Sequence, residues 1–198
     1  MGDRGPAAHR KLYLRRGGVA RVLATAVIAL MMKSASAIDG MSVAGGPDAS
    51  SNASVDLVRV GAQWKWKKRW FQTESWHLGG YWDLQVGYWD NSSTNATNSG
   101  LGEVAITPVF RVQQNTLSAF APYAEIGVGA HLLSETSVNT ERRFGTAFQF
   151  GSHGGIGARF GPKNAFDLGY RYQHLSNADI KHLNNGINFH IVRLGYWF

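Results

Sequence analysis

Residues 170–180, YRYQHLSNADI, place a histidine and a serine two positions apart at the end of a run of alternating aromatic side chains. In a β-strand, alternate residues point to the same face, so the imidazole of His174 and the hydroxyl of Ser176 would lie side by side. A histidine beside a serine can activate the hydroxyl as a nucleophile. The same spacing also fits two unrelated polar residues at the interfacial end of a strand, and spacing alone does not decide between the two interpretations.

The first 37 residues have the composition of an export signal. Residues 1–21 contain six basic residues and one acid, and residues 22–32 (VLATAVIALMM) form an apolar run. That run is too short to cross a bilayer, which takes about 20 residues. The small residues at 34–37 (SASA) are typical of a signal-peptidase cleavage site. We therefore expect a signal peptide at residues 1–37 and a mature domain at residues 38–198.

The formal net charge of +7 comes almost entirely from this leader. Removing it takes away seven of the 20 basic residues and one of the 13 acids, which leaves 13 against 12 and a charge of +1. A protein that binds phosphate backbones keeps its positive surface in the folded domain, so we expect no nucleic-acid partner. The mature chain keeps one cluster of basic residues interleaved with tryptophans, and we interpret it as a solvated turn beside a membrane interface. Its members are Trp64, Lys65, Trp66, Lys67, Lys68, Arg69 and Trp70. The chain has no cysteine, which excludes disulfides and a thiol nucleophile.

The mature chain consists of segments in which apolar residues alternate with small or polar residues, the period of β-strands. In residues 76–89 the even positions run from Trp76 to Tyr88 and are apolar or small, whereas the odd positions include His77, Asp83 and Gln85. No helical period and no apolar run of membrane-helix length interrupts this pattern. Eight strands are predicted, at residues 39–46, 54–66, 76–90, 101–113, 119–133, 144–160, 165–175 and 187–198.

The connections and the last strand favour a barrel in the bacterial outer membrane. Connections near 114–118 and 161–164 are short, whereas others, such as 91–100, are long and polar, as periplasmic turns and extracellular loops are. The connection at 65–75 is an exception. A chain that ends on Phe198 with Tyr196 on the same face resembles the terminal strand recognised during barrel assembly, which a soluble lipocalin-like barrel does not need. We predict an all-β fold, an eight-stranded antiparallel transmembrane β-barrel.

Assigning the residues of strand 165–175 to its two faces then predicts whether His174 and Ser176 point to the lumen or to the membrane. In strand 165–175, Asp167 and Arg171 alternate with aromatic residues. A charge that faces lipid near the bilayer midplane costs about 2–4 kcal/mol, so these two side chains should line the lumen. His174 and Ser176 would then face the membrane, where ionisable groups are functional candidates by default.

The same geometry predicts the depth of the pair. Asn188 lies ten residues above Phe198 on the lipid-facing side of the last strand, which corresponds to roughly 25 Å at a tilt near 40°. His174 reaches roughly 20 Å by the same count. The pattern therefore predicts a cluster of His174, Ser176, Asn188 and His190 near the outer leaflet, which in such bacteria is lipopolysaccharide.

These residues resemble a known signature. The run 174–178 (HLSNA), followed by Lys181, Asn184, Gly186 and Ile187, is similar to the signature of the outer-membrane lipid A 3-O-deacylases of the PagL type. A looser likeness extends over about residues 55–198. That family has an eight-stranded barrel with a serine-hydrolase site that faces lipid. The resemblance thus implies the same orientation that the alternation of strand 165–175 predicts independently.

The resemblance implies an esterase that uses no metal or other cofactor. Ser176 would attack the ester at the 3-position of lipid A, and His174 would carry the proton to the leaving sugar oxygen. Asn177 and a backbone N–H near Asp179 would hold the oxyanion. The family's third catalytic residue is a Glu, and the matching residue here is Asn188. Its amide oxygen can accept the imidazole N–H but carries no charge, so we expect a slower enzyme, recruitment of a carboxylate such as Asp179, or an inactive protein.

Other interpretations stay open at this stage. A structural or adhesive small barrel would act through its extracellular loops, and a transport barrel would need an open lumen, which eight strands scarcely allow. His182 and His190 could suggest a metal site with His174, but no acidic ligand is grouped with them. Four further polar residues are predicted to be luminal and structural: Asp83, Glu125, His131 and Arg171. The sequence also leaves open a homodimer.

Overall fold

The computed structural model describes residues 38–49 and 54–198, so the predicted signal peptide lies outside the described residues and stays a prediction. The described residues contain one short 3-10 helix, Pro162–Asn164, and no helix long and apolar enough to cross a membrane. The strands are β1 Gly40–Pro47, β2 Val55–Lys65, β3 Trp76–Asn91, β4 Gly100–Gln114, β5 Phe120–Leu133, β6 Phe148–Phe160, β7 Phe166–Ser176 and β8 Ile187–Trp197.

The strands form a closed antiparallel barrel in chain order. Each strand pairs with the next, and β1 pairs with β8, where Ser42 lies opposite Gly195. Closure leaves no strand edge with unpaired backbone groups, which is the condition for a β-structure to cross a bilayer. The predicted eight-stranded antiparallel barrel is confirmed.

The two faces of the barrel wall differ as the alternation predicts. Val86 and Ile126 point outward and are 55% and 64% exposed, whereas their strand neighbours Gln85 and Glu125 are buried inside. In β7 the charged residues Asp167 and Arg171 are also buried in the interior. The outer wall is therefore apolar, and the polar side chains of the strands fill the interior.

The interior near the start of β1 and the end of β8 holds a network of buried ion pairs. Arg111 lies 2.7 Å from Glu125 and 2.8 Å from Asp167, and Arg171 lies 2.7 Å from Glu125 and 3.2 Å from Asp83. Each charge has an opposite partner, which compensates for its removal from water. The predicted luminal position of Asp83, Glu125 and Arg171 is confirmed.

The interior near the opposite end is apolar. His131, the fourth predicted luminal residue, is buried next to Glu103 at 2.5 Å and marks the upper limit of the polar region. Beyond it lies a buried cluster: Ala44, Val55, Leu57, Trp89, Leu101, Leu133, Val138, Phe144, Leu175, Ile187, Phe189 and Ile191. Side chains thus fill the barrel from end to end, as expected for eight strands.

The sixth strand begins later than predicted. The alternation suggested residues 144–160, but β6 is Phe148–Phe160. Phe144 is buried in the apolar cluster, where its ring lies 6.4 Å from that of Trp89, and it forms an isolated bridge with Asn184. Phe144 is thus held by the apolar cluster and by Asn184 and does not continue the β6 ladder, so the prediction of a strand start at 144 was wrong.

The Trp-rich basic cluster lies at the end of the barrel where β1 begins and β8 ends. Trp66 packs edge-on against Phe110 on the outer wall, with ring centroids 4.9 Å apart. Lys67, Lys68 and Arg69 are exposed. This arrangement agrees with the interpretation as a turn whose aromatic side chains cover the wall while its charges stay in solvent.

Candidate active site

The β7–β8 hairpin brings His174 and Asn188 together. The two residues are direct partners across the strands, and both point outward. The Nδ1–H of His174 donates a hydrogen bond to the Oδ1 of Asn188 at 2.7 Å. This bond fixes the tautomer, because the proton on Nδ1 leaves Nε2 with a free lone pair. The ring can therefore accept a proton from a hydroxyl.

Ser176 is the last residue of β7 and shares the outer face with His174. It is only partly exposed. Within residues 54–198, no hydrogen bond joins the Ser176 hydroxyl to the imidazole. Catalytic hydrogen bonds are often long in a free enzyme and tighten when substrate binds, so this geometry is compatible with a nucleophile–base pair.

A tight turn follows the serine directly. The backbone N–H of Ile180 donates to the carbonyl oxygen of Asn177 at 3.1 Å, and Ala178 and Asp179 have φ values of 51° and 59°. Positive φ at both central residues is the pattern of a type I′ turn. In the part of the chain that the structure describes, the backbone N–H groups of Ala178 and Asp179 have no hydrogen-bond partner. The turn therefore offers two free donors next to Ser176.

The Asn184 side chain ties this loop together. Its Oδ1 accepts the backbone N–H of Asn177 at 2.8 Å, and its Nδ2 donates to the Asp179 carboxylate at 3.0 Å. The Asn177 side chain is fully buried and donates from Nδ2 to the Lys181 carbonyl oxygen at 3.0 Å. Asp179, the carboxylate considered for recruitment, thus pairs with Asn184, and His174 pairs with Asn188.

Gly186 is a site residue that spacing arguments did not single out. It has a φ of 60°, and a Cβ atom at this position would lie 2.9 Å from Cε1 of His174 and 3.4 Å from Nε2. The imidazole therefore packs directly over the backbone of residue 186. The glycine was visible in the signature that follows Ser176, but only the folded hairpin reveals what it contacts.

A shallow apolar groove begins beside His174 on the outer wall. It has a volume of about 370 Å³, and Ser152, Tyr172, Ile126 and Phe110 contribute to its lining. Gly154 leaves a gap in the wall at its centre, since a Cβ atom there would meet no atom within 4 Å. A second depression of about 420 Å³ adjoins the first at Ile126 and Phe110. Together they form a path across the wall from β7 towards β3.

Residues 151–157 of β6 (GSHGGIG) contain four glycines, and these glycines have different surroundings. Gly151 does face closely packed atoms, because a Cβ there would lie 2.1 Å from the His131 ring. Gly154 faces outward and is open. Alternation could have assigned each glycine to a face, but the groove depends on side chains of four different strands.

The histidines near the hairpin have separate surroundings. The Nδ1 of His190 bonds to the Tyr170 hydroxyl, and His182 lies exposed in the loop. The described residues contain no group of three or more His, Cys, Asp or Glu side chains that could hold a metal ion.

Comparison with known proteins relates the chain to one family. The family described as lipid A 3-O-deacylase (PagL) matches residues 56–197, which include the whole hairpin site. Lipid A deacylase PagL of Pseudomonas aeruginosa is 34% identical over 129 residues, which cover 65% of this chain and 70% of that protein. Lipid A deacylase PagL of Bordetella bronchiseptica is 46% identical over 76 residues, which cover 38% of this chain and 40% of that protein.

A solved structure extends the similarity to three dimensions. The crystal structure of the outer membrane enzyme PagL is similar to this chain with a TM-score of 0.69 and 29% sequence identity. The similar region covers 80% of this chain and 99% of the crystallised chain. The similarity thus includes the barrel as a whole as well as the hairpin that carries the candidate site.

Proposed function

The chain belongs to the lipid A 3-O-deacylase (PagL) family, and we propose that it removes the 3-O-linked acyl chain of lipid A with Ser176 as its nucleophile. As a member of this family with an eight-stranded barrel, it is an enzyme of the bacterial outer membrane. The observation that carries the proposed mechanism is the 2.7 Å hydrogen bond between His174 Nδ1 and Asn188 Oδ1, on the same outward face as Ser176.

The reaction begins with transfer of the Ser176 proton to Nε2 of His174. The Oγ atom forms a bond to the ester carbonyl carbon, and collapse of the tetrahedral intermediate breaks the bond to the sugar oxygen, which takes the proton from the imidazolium. Water then hydrolyses the acyl-serine by the same proton route and releases a fatty acid. Asn188 keeps the imidazole in the required tautomer throughout.

The oxyanion is stabilised by the turn that follows the nucleophile. The N–H of Asp179 is a free and exposed donor, which is the type of group that such a site requires. The Asp179 N–H is therefore the proposed oxyanion donor. The Asn177 side chain, which was expected to share this role, is fully buried and supports the turn from inside through its bond to the Lys181 carbonyl. Asn184 holds the turn in place by its bonds to the Asn177 N–H and the Asp179 carboxylate.

The groove beside His174 accommodates the acyl chain that is cleaved. Its lining is apolar, and it begins at the imidazole and continues across the outer wall. A chain attached to an ester at Ser176 can lie in this groove within the membrane, so the substrate does not have to leave the bilayer. The barrel interior, which is filled with side chains, has no part in substrate binding.

One chain supplies every proposed catalytic group, because nucleophile, base and the partner of the base all come from the β7–β8 hairpin. A second copy is therefore not needed for the chemistry, and a homodimer stays a prediction.

Mass spectrometry of lipid A from cells that express the protein tests the proposal. The wild-type protein should remove one 3-hydroxyacyl chain, and Ser176→Ala and His174→Ala should each abolish the loss. Ser99→Ala, which changes an exposed loop serine far from the hairpin in sequence, is the matched control and should keep full activity. Unchanged lipid A in the presence of correctly inserted wild-type protein would exclude the enzymatic function and favour a structural or adhesive barrel.

A further inference from the structure

A second polar pair lies on the outer wall next to the proposed catalytic residues. The Tyr170 hydroxyl and Nδ1 of His190 are 2.6 Å apart, and the two rings stack with an interplanar angle of 25°. Tyr170 is on β7 and His190 is on β8, and both side chains are exposed on the same face as His174 and Asn188. The proposed mechanism makes no use of this pair.

Counting hydrogens shows that the pair keeps one donor for another molecule. A neutral imidazole has one N–H group and a phenol has one O–H group, so the pair holds two donors. The single hydrogen bond between them uses one. If the hydroxyl donates to Nδ1, the N–H on Nε2 is free, and if Nδ1–H donates, the hydroxyl hydrogen is free. The conclusion therefore does not depend on the tautomer.

The free donor has no partner within the protein. Among residues 38–49 and 54–198, neither side chain forms a hydrogen bond other than the one between them. Both side chains face the lipid of the outer membrane, where an unsatisfied polar hydrogen costs free energy because no water replaces the missing acceptor. The acceptors available at this surface are oxygen atoms of lipids.

The depth of the pair indicates which lipid oxygen is within reach. His190 lies two residues below Asn188 on β8, which is roughly 5 Å deeper in the membrane for a strand tilted by about 40°. Phosphate and sugar groups lie above the level of the ester that Ser176 would attack. The oxygens just below that level are the ester and amide carbonyls of acyl chains.

The pair and the groove lie on opposite sides of one aromatic ring. Tyr172 lines the groove next to His174, and it is also the cross-strand partner of His190, with ring centroids 5.3 Å apart. A lipid whose cleaved chain occupies the groove therefore has its neighbouring chain near β8. A substrate with several acyl chains can contact both surfaces, whereas a single-chain ester cannot.

We propose that Tyr170 and His190 form a lipid-binding subsite that donates a hydrogen bond to an acyl carbonyl oxygen of a second chain of the bound lipid A. The subsite rests on the proposed function in that it assumes lipid A at Ser176. It makes the protein selective for multiply acylated lipid over simple esters.

Binding measurements in the inactive Ser176→Ala background test the subsite without requiring catalysis. In this background each single change, Tyr170→Phe or His190→Phe, leaves one polar hydrogen on the pair and should weaken lipid A binding by no more than about twofold. The double change removes both donors and should weaken binding by about three- to tenfold, the range expected for one neutral hydrogen bond. The singles and the double are thus expected to be non-additive.

Tyr88→Phe is the matched control, because Tyr88 is another outward-facing tyrosine and lies on β3, away from the pair. It should leave binding unchanged, and heat-dependent mobility on gels should show that all variants are folded. Unchanged lipid A binding in the double variant, or equal weakening by either single change, would overturn the subsite.

Two further comparisons show which lipid supplies the carbonyl and whether the subsite depends on catalysis. The double change should leave binding of a diacyl phosphatidylethanolamine unchanged, and equal weakening for that lipid would overturn the assignment to lipid A. If wild-type protein proves inactive on lipid A while the double change still weakens lipid A binding, the proposed function fails and the subsite stands.

Discussion

The imidazole of His174 is held by an amide, since its Nδ1 donates to the Asn188 Oδ1 at 2.7 Å from the neighbouring strand. This bond orients the ring and sets its tautomer, but it provides no negative charge to stabilise the imidazolium that forms during proton transfer. Asn188 thus has the position and the hydrogen bond of the proposed third catalytic residue without its charge. The Asp179 carboxylate bonds to Asn184 at 3.0 Å, and within the described residues no hydrogen bond joins it to His174.

Asn188→Glu should raise the activity. The carboxylate can accept the same N–H and adds the missing charge, so we expect kcat for lipid A to increase by about 10- to 100-fold, less than the effect of losing both charge and tautomer in a serine protease. The change in kcat is measured from the release of acyl chains from purified lipid A. Asn188→Leu, which removes the acceptor, should reduce kcat below the parent value. A decrease with Glu would point to a different hydrogen-bond network around His174.

Gly186→Ala should inactivate the enzyme without unfolding the barrel. The added Cβ would lie 2.9 Å from Cε1 of His174, and the φ of 60° disfavours any side chain, so we expect kcat to fall at least tenfold as the ring is displaced. The control is Gly102→Ala, where the nearest atom outside the adjacent residues lies at an ordinary 3.6 Å. Equal activity of both variants in a deacylation assay would mean that the ring does not need its present position.

Gly154→Leu should reduce activity on substrates with long acyl chains more than on short-chain esters. The backbone tolerates a side chain at this site because no atom lies within 4 Å of the Cβ position, but leucine would fill the centre of the groove. We expect kcat/KM for lipid A to fall about tenfold or more, while hydrolysis of a short-chain ester is retained. Gly154→Ala, which adds only a methyl group, serves as the comparison. A parallel loss on both substrates would argue against the groove as the acyl site.

Asp167→Asn should destabilise the barrel. The buried carboxylate accepts hydrogen bonds from Arg111, Tyr123 and Trp197, and lies 3.3 Å from Arg193. Loss of one charge from a buried ion-pair network costs about 3–5 kcal/mol, because the remaining charges lose their compensation. Urea-induced unfolding in lipid vesicles measures the change. Asp90→Asn, which alters an exposed aspartate on β3, should change the free energy of unfolding by less than about 0.5 kcal/mol. If the two variants were equally stable, the network would not carry the stability assigned to it.

The alternation of residue types along the chain is enough to assign side chains to the outer and inner faces of the barrel. Alternation in β7 placed Asp167 and Arg171 inside and His174 and Ser176 outside, and every one of these positions is confirmed. The inference succeeds because the period of two is a local property of the extended backbone and does not depend on which strands are neighbours. The number of strands followed from the same local pattern.

The contacts that make the wall a candidate site form only in the folded barrel. The ten-residue loop 177–186 separates His174 from Asn188 in the chain, and only the register of β7 against β8 makes them direct partners. The contact of Gly186 with the imidazole and the start of β6 at Phe148 depend likewise on loop packing, which alternation does not encode. The groove and the Tyr170–His190 pair arise where side chains of different strands meet. These contacts between strands depend on barrel closure and register, so they form only when the whole chain has folded.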